Sequence, residues 1–167
     1  AFGWNVQHHQ YERFEFLAHP PLAAHIDYTV EGDWSGASFL LEASAIAGPN
    51  TVKGLQLNST QADKAVMQAL KDAGASIDIQ ADTIQIGPAK DSVGNDIPLK
   101  AFEFDATNCP DLFPPLVALA AVCDGVTILH GVSRLAHKES DRAMTLQTEF
   151  TKLGIRIDLN QDTMLVY

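Results

Sequence analysis

The amino-acid sequence predicts an α/β (α+β) fold built from two repeated βαβαββ units. Three observations support this prediction. The same order of helix and strand patterns occurs twice, glycines interrupt both copies at matching places, and a length of 167 residues suits one ordinary domain. Hydrophobic residues make up 46% and charged residues 19% of the chain, which argues against a disordered or fibrous protein.

The first unit is predicted over residues 21–87. It opens with an apolar, alanine-rich helix pattern at 35–48, for which Asp33 or Ser35 offers an N-cap. A β-branched run at 51–57 then predicts a strand.

The rest of this unit reads as a helix followed by a hairpin. Residues 61–74 place apolar side chains at steps of three and four, which indicates an amphipathic helix ended by Gly74. Alternating strands follow at 75–80 and 83–86, joined by a tight turn.

The second unit, residues 99–167, repeats this order. A helix is predicted at 111–123 with its two adjacent prolines in the first turn, then a strand at 126–129 and a helix at 138–154. The second helix is predicted to place one apolar face inward, made of Ala143, Leu146, Phe150 and Leu153. Strands at 155–160 and 163–167 close the unit.

A shift of about 80 positions superimposes the two copies. Gly74 to Asp78 then meets Gly154 to Asp158, and Asp82-Thr83 meets Asp162-Thr163. The first helix of each unit is apolar nearly all round, so it needs cover on more than one side. We therefore expect the chain to self-associate as a homodimer through these faces.

Two segments flank the repeat. Residues 1–20 contain a weak edge-strand pattern at 6–16, and residues 88–98 form a polar surface loop. The chain starts at Ala1 within Ala-Phe-Gly-Trp, which is typical of the middle of a longer protein.

The charge balance excludes some partners. There are 11 Lys+Arg and 21 Asp+Glu, a formal charge of −10, which disfavours nucleic acid and anionic membranes. No apolar run approaches the roughly 20 residues of a membrane span. Cys109 and Cys123 lie in apolar surroundings, so we expect buried thiols in a reducing, cytoplasmic compartment.

No metal is expected. His8 and His9 are adjacent on a predicted strand and must project from opposite faces, which disfavours a metal ion shared by the pair.

Basic residues are few, and three of them cluster at Arg134, Lys138 and Arg142, with Glu139 among them. At the start of a helix these cations would oppose the dipole unless they bind an anion. A solvated helix start with internal ion pairs explains the cluster equally well.

A second candidate is Asp111, which precedes a very apolar helix. From this position alone an N-cap role is favoured over a substrate contact. A carboxylate that faces a cavity would also accept hydrogen bonds from substrate hydroxyls.

Three motifs occur in order along the chain. They are Tyr28-Thr-Val-Glu-Gly-Asp33-Trp-Ser-Gly-Ala-Ser38, Cys109-Pro-Asp111-Leu-Phe-Pro, and Arg134-Leu-Ala-His-Lys138-Glu139-Ser-Asp-Arg142. Together they resemble the 5-enolpyruvylshikimate-3-phosphate synthases. The resemblance implies the enolpyruvyl-transferase fold, in which each of two domains holds three βαβαββ units about a pseudo-threefold axis. It also implies a fragment of well under half the family's length, with residues 1–20 at the end of the other domain.

The resemblance further implies an activity and a set of roles. The family transfers enolpyruvyl from phosphoenolpyruvate to the 5-hydroxyl of shikimate 3-phosphate, without a cofactor. By motif position, Asp111 and Lys138 would contact shikimate 3-phosphate and Glu139 would act as acid/base. Arg142 would hold phosphoenolpyruvate, and Arg134 has the least defined role because some relatives carry asparagine there.

Several motifs of the family are missing from this chain. Neither the Ser-Ser-Gln stretch nor the Asp-His-Arg-Met-Ala stretch is present, so the resemblance implies an inactive piece of a monomeric parent. The alternatives are a relative of the UDP-N-acetylglucosamine enolpyruvyl transferases and a non-catalytic anion-binding module.

Overall fold

Two units make up the part of the chain that the computed structural model describes, which comprises residues 5–17, 25, 27–81, 83–136 and 141–167. These compact units differ from the repeated units predicted from the sequence. The first compact unit ends at Val30, and the second, from Glu31 to Tyr167, contains the helices and strands of both sequence copies. Over the described residues, each helix is too short or too polar to cross a bilayer.

The first unit contains an antiparallel hairpin. Its strands are β1, Val6–His9, and β2, Arg13–Phe16. The ring of His8 stacks on the ring of Tyr11 at a centroid distance of 4.1 Å, whereas His9 Nε2 lies 3.7 Å from Glu15. The two histidines therefore project from opposite faces, as the alternation predicted.

The second unit begins with the first sequence copy. Its helices are α1, Trp34–Ala47, and α2, Val66–Ala73, with a 3-10 turn at 62–65 leading into α2. Its strands are β3, Asn50–Lys53, β4, Ser76–Gln80, and β5, Thr83–Gly87, in the antiparallel order β3-β5-β4.

The second copy adds a strand. Its helices are α3, Phe113–Ala120, and α4, Arg142–Lys152. Its strands are β6, Glu103–Asp105, β7, Thr127–His130, β8, Ile157–Asn160, and β9, Thr163–Val166. The sheet order is β6-β7-β9-β8, and β6 runs parallel to β7.

The predicted repeat is confirmed in the strand register. Ile77 pairs with Ile86 in β4–β5, and Ile157 pairs with Val166 in β8–β9, an offset of 80 positions for both partners (77 to 157 and 86 to 166). The offset from β3 to β7 is 77, because Lys53 pairs with Thr83 whereas His130 pairs with Thr163 (53 to 130). The three strands that the copies share are therefore arranged in the same way, and the difference of three residues lies between β3 and β4 in the first copy and between β7 and β8 in the second.

Some element boundaries differ from the predictions. Residues 27–33 form no strand, so the first copy lacks an opening strand among the described residues. Gly32 N–H donates to Gly54 C=O at 3.1 Å, and the chain enters α1 directly afterwards, at the N-cap Asp33. This segment therefore makes a single backbone hydrogen bond to the residue after β3 where a strand would make a series of them. Strand β3 ends at Lys53, before the predicted end at 57. The prediction that Leu153 faces inward is wrong: it is 75% exposed, because α4 ends at Lys152.

The core of the second unit lies between the helices and the two sheets. Helix α1 packs on α3, and both contribute fully buried side chains. The largest of these are Trp34, Leu41, Phe113, Leu116 and Leu119.

The outer face of α1 stays exposed. Phe39, Leu40 and Ile46 are 51%, 55% and 37% exposed, and together we call them the α1 outer face. On the buried side of the same helix lies the carboxyl group of Glu42, whose residue is only 2% exposed. A carboxyl group buried in that position is unfavourable in its charged form.

Candidate functional site

The candidate site lies where the parallel strands β6 and β7 end. Parallel strands place their carboxyl ends at one edge of a sheet, and ligands of α/β proteins bind outside such ends. The connection from β6 to α3 carries Asp111, and the connection from β7 to α4 carries Arg134 and leads to Arg142. The topology thus brings together residues that are about 30 positions apart in the sequence.

Asp111 and Arg142 meet directly. Arg142 Nη1 donates to Asp111 Oδ1 at 2.7 Å. The Asp111 side chain is 45% exposed and that of Arg142 is 31% exposed, so solvent reaches this pair and weakens its net contribution to stability. A carboxylate, which accepts hydrogen bonds, therefore lies next to a guanidinium, which binds anions, so that one small molecule can contact both groups.

The favoured N-cap role of Asp111 is wrong. Asp111 lies within a 3-10 turn at 110–112, and Leu112 is the N-cap of α3, with no side-chain cap bond. An N-cap carboxylate at position 111 would accept from the N–H of Phe113 or of residue 114. Phe113 N–H donates instead to Pro110 C=O, and Pro114 has no N–H. The proline pair lies in the first turn of α3, as predicted.

The basic cluster is described only in part. Helix α4 begins at Arg142, later than predicted, because Asp141 is its N-cap and accepts from Met144 N–H at 3.1 Å. Arg134 is exposed on a 3-10 turn at 132–135, and its N–H donates to Gly131 C=O. The predicted site residues Lys138 and Glu139 lie outside the described residues.

Two carboxylates hold the connections near the site. Asp105 Oδ1 accepts from Thr107 N–H at 2.9 Å, and Asp162 Oδ1 accepts from Ser133 N–H at 2.7 Å. The hydroxyl and N–H of Thr107 lower the pKa of Asp105, and the N–H and hydroxyl of Ser133 lower the pKa of Asp162. Both carboxylates are therefore ionised at neutral pH and accept these bonds at full strength.

Neither cysteine has the environment of an activated nucleophile. Cys109 is buried near the site and Cys123 is half-buried, and both are free thiols, as predicted. Burial, assisted by nearby carboxylates, raises the pKa of each to about 11. Both are protonated at neutral pH, and a thiol in that state is unreactive.

Sequence reasoning missed two residues that join the connections. Gly131 follows β7 directly, and Asp162 appeared only as part of the repeat, where it matches Asp82. The available signals were a glycine at the carboxyl end of a parallel strand and an aspartate in the last hairpin turn. Both types of residue commonly fix loop geometry.

The sequence is similar to one enzyme family over its whole length. The family model for EPSP synthase (3-phosphoshikimate 1-carboxyvinyltransferase) matches residues 1–167. A 3-phosphoshikimate 1-carboxyvinyltransferase from Brachyspira hyodysenteriae is 37% identical over 141 residues, 84% of this chain and 32% of that protein. The corresponding protein from Methanobrevibacter smithii is 41% identical over 141 residues, 84% of this chain and 31% of that protein.

Solved structures show the same fold. An EPSP synthase from Acinetobacter baumannii superimposes with a TM-score of 0.78 at 23% identity, covering 99% of this chain and 38% of that one. The enolpyruvyl transferase NikO from Streptomyces tendae gives a TM-score of 0.61 at 18% identity, covering 99% and 37%. The chain thus spans about a third of the length of the curated relatives it matches.

Proposed function

Because the chain belongs to the EPSP synthase family, we propose that it is part of a transferase that moves the enolpyruvyl group of phosphoenolpyruvate to the 5-hydroxyl of shikimate 3-phosphate. This reaction belongs to the shikimate pathway of chorismate and aromatic amino acid biosynthesis. The observation that carries the proposal is the 2.7 Å bond between Asp111 and Arg142. It pairs a group suited to substrate hydroxyls with a group suited to an anion.

The chemistry requires both kinds of group. Carbon 3 of phosphoenolpyruvate gains a proton while the 5-hydroxyl oxygen attacks carbon 2 and loses its own proton, which gives a tetrahedral adduct. The adduct then expels phosphate and loses a proton from carbon 3, which restores the double bond. Two anionic substrates need fixed cations, and the proton transfers need a carboxylate of suitable pKa.

The roles follow from motif positions. Asp111 and Lys138 bind shikimate 3-phosphate, with Lys138 against the attacking 5-hydroxyl. Arg142 holds phosphoenolpyruvate, and Glu139 moves the proton at carbon 3. The exposed position of Arg134 at the same strand end supports a secondary contact with substrate. The reaction needs no cofactor.

In this proposal the 167-residue chain by itself has no transferase activity. Relatives are about three times longer, so most of the groups that position two anions in the complete enzyme come from elsewhere. Residues 1–20 belong to the other domain, and residues 21–87 and 99–167 are two of the three units of this domain, joined by a loop at 88–98. The complete enzyme is a cytoplasmic monomer, without a nucleic-acid or membrane partner.

Both curated relatives carry the name of this reaction, which favours it over the UDP-N-acetylglucosamine alternative and over an anion-binding module.

Steady-state kinetics of the complete parent enzyme, with both substrates varied, test the proposal. Arg142→Ala is expected to raise KM for phosphoenolpyruvate and to lower kcat/KM by roughly 30- to 1000-fold, since a lost charge-assisted contact costs about 2–4 kcal/mol. Glu139→Gln is expected to lower kcat far more than it weakens binding, because it removes the titratable carboxylate and keeps the shape and hydrogen bonding of the side chain.

Lys152→Ala is the matched control. Lys152 lies at the far end of α4, exposed and paired with Glu149 at 2.6 Å, and its loss is expected to change kcat/KM by less than about twofold. Wild-type turnover in Glu139→Gln would show that the basic cluster is only a structural set of ion pairs.

A further inference from the structure

The two connections that carry the candidate site touch each other at Gly131. This residue follows β7 with φ of +97°, and a Cβ placed on it would lie 2.6 Å from the backbone N and 2.8 Å from the Cα of Thr107. Thr107 lies between β6 and Asp111. A side chain at Gly131 would therefore push apart the two connections that hold Asp111 and Arg142.

Asp162 holds the second connection by hydrogen bonds. Its carbonyl oxygen accepts from Gly131 N–H at 2.9 Å and from Val132 N–H at 3.2 Å, and its Oδ1 accepts from Ser133 N–H at 2.7 Å. Three successive residues after β7 thus bind one residue in the β8–β9 turn. This fixes the direction in which the chain leaves β7.

We infer that Gly131 and Asp162 are positioning residues, which together set the separation between Asp111 and Arg142 and hence the geometry of the substrate site. The inference rests on the proposed function. Neither residue has to touch substrate: Gly131 sets how closely the connections approach, and Asp162 sets the path toward Arg142. Errors of about 1 Å in such a site can cost 100-fold in rate.

The repeat offers a matched control for Gly131. Gly54 follows β3 as Gly131 follows β7, and its φ is +83°, but a Cβ on Gly54 would meet nothing within 4 Å. Alanine at either position imposes the same kind of backbone strain. Only alanine at position 131 adds the clash with Thr107.

The experiment is steady-state kinetics of the complete parent enzyme carrying Gly131→Ala, Gly54→Ala, Asp162→Ala or Asp162→Asn. We expect Gly131→Ala and Asp162→Ala to lower kcat/KM by roughly 100-fold, with kcat affected as well as KM. Gly54→Ala should stay within about threefold of wild type, because strain alone acts on stability. Asp162→Asn should recover most of the loss, because its Oδ1 still accepts from Ser133 N–H.

The outcomes separate this inference from the proposed function. If Arg142→Ala loses activity while Asp162→Ala does not, the positioning inference fails and the proposed function stands. Equal losses in Gly131→Ala and Gly54→Ala would also overturn it, since backbone strain would then explain both. If Gly131→Ala does not fold, the Asp162 pair decides the matter, because failure of Asp162→Asn to recover activity rules out a hydrogen-bonding role. If Arg142→Ala retains full activity, the proposed function and the inference fall together.

Discussion

Glu42 is the residue whose chemistry conflicts most with its surroundings. It lies in α1 on the side that packs into the core, and neither carboxyl oxygen has a hydrogen-bond partner among the described residues. Burial raises the pKa of Glu42 to about 9, so the group is neutral at physiological pH. A buried carboxyl without a partner destabilises the fold even when it is neutral.

The free energy of unfolding should therefore fall as the pH rises. The pKa of Glu42 in the folded state lies above its ordinary value of 4.5, so its contribution is fully present below pH 4.5 and is lost as the pH rises through about 9. Glu42→Gln removes this titration. The variant's stability relative to wild type should increase by about 1.4 kcal/mol per pH unit within this window.

Urea denaturation at several pH values between these limits measures the effect. Glu149→Gln is the matched control, because Glu149 lies on the solvent side of α4 with a 58% exposed side chain. The control should follow the wild-type profile. If Glu42→Gln also runs parallel to wild type, the carboxyl is ionised or partnered in the folded protein.

The N-terminus of helix α1 depends on one side chain. Asp33 accepts from Ser35 N–H and Gly36 N–H, both at 3.1 Å, and so satisfies two of the donors that a helix start leaves open. Asp33→Ala should lower the free energy of unfolding by about 1 kcal/mol. Chemical denaturation at neutral pH checks this value.

Asp72→Ala provides the comparison for Asp33→Ala. Asp72 is an exposed helix residue whose one described contact is with Gln68 at 2.8 Å, so its loss should cost less than about 0.5 kcal/mol. Equal effects of the two substitutions would remove the special role of the cap.

Elements could be predicted where local chemistry decides them. Gly74 and Gly154 both take a positive φ after a helix, as glycine at a helix end does, and both hairpins follow from alternation and turn residues. The start of α4 differs from the prediction because Asp141 caps the helix from within a charged run whose composition is typical of a helix. The N-cap role predicted for Asp111 is wrong because the 3-10 turn at 110–112 directs Phe113 N–H to Pro110 C=O, and Pro114 lacks an N–H.

The candidate site could be predicted as a set of residue types but not as a geometry. Asp111 and Arg142 came from motifs, yet their contact depends on the parallel pairing of β6 and β7, which no local pattern specifies. The importance of Gly131 could not be predicted for the same reason. It depends on the close approach of Thr107, a residue 24 positions away (107 to 131).

The exposed α1 outer face affects how the chain assembles. Phe39 and Leu40 are both more than half exposed on a helix whose opposite side is buried in the core. Light scattering should show a homodimer at a concentration on the order of tens of micromolar, with Phe39→Glu shifting it toward monomer. If the unsubstituted chain is monomeric, the prediction is wrong and the α1 outer face stays exposed to solvent without a partner copy.

The catalytic activity of the isolated chain can also be tested. The 167-residue chain, mixed with phosphoenolpyruvate and shikimate 3-phosphate, should release no phosphate above background, because it holds only part of the groups that position two anions. A phosphate-release assay at high protein concentration measures this. Detectable turnover would mean that the remainder of the enzyme is not needed for chemistry.

The change of register offset from 77 to 80 has a consequence for the history of the molecule. If the two sequence copies descend from one duplicated ancestor, the paired strands are the part that was kept, and the helix between them is the part that changed length, since α2 has 8 residues and α4 has 11. The connection from strand to helix has nearly the same length in both copies, at 54–65 in the first and 131–141 in the second. The second connection carries Arg134, Lys138 and Glu139. The residues of the proposed site thus stand in a connection that both copies share, so they would have arisen by substitution rather than by insertion.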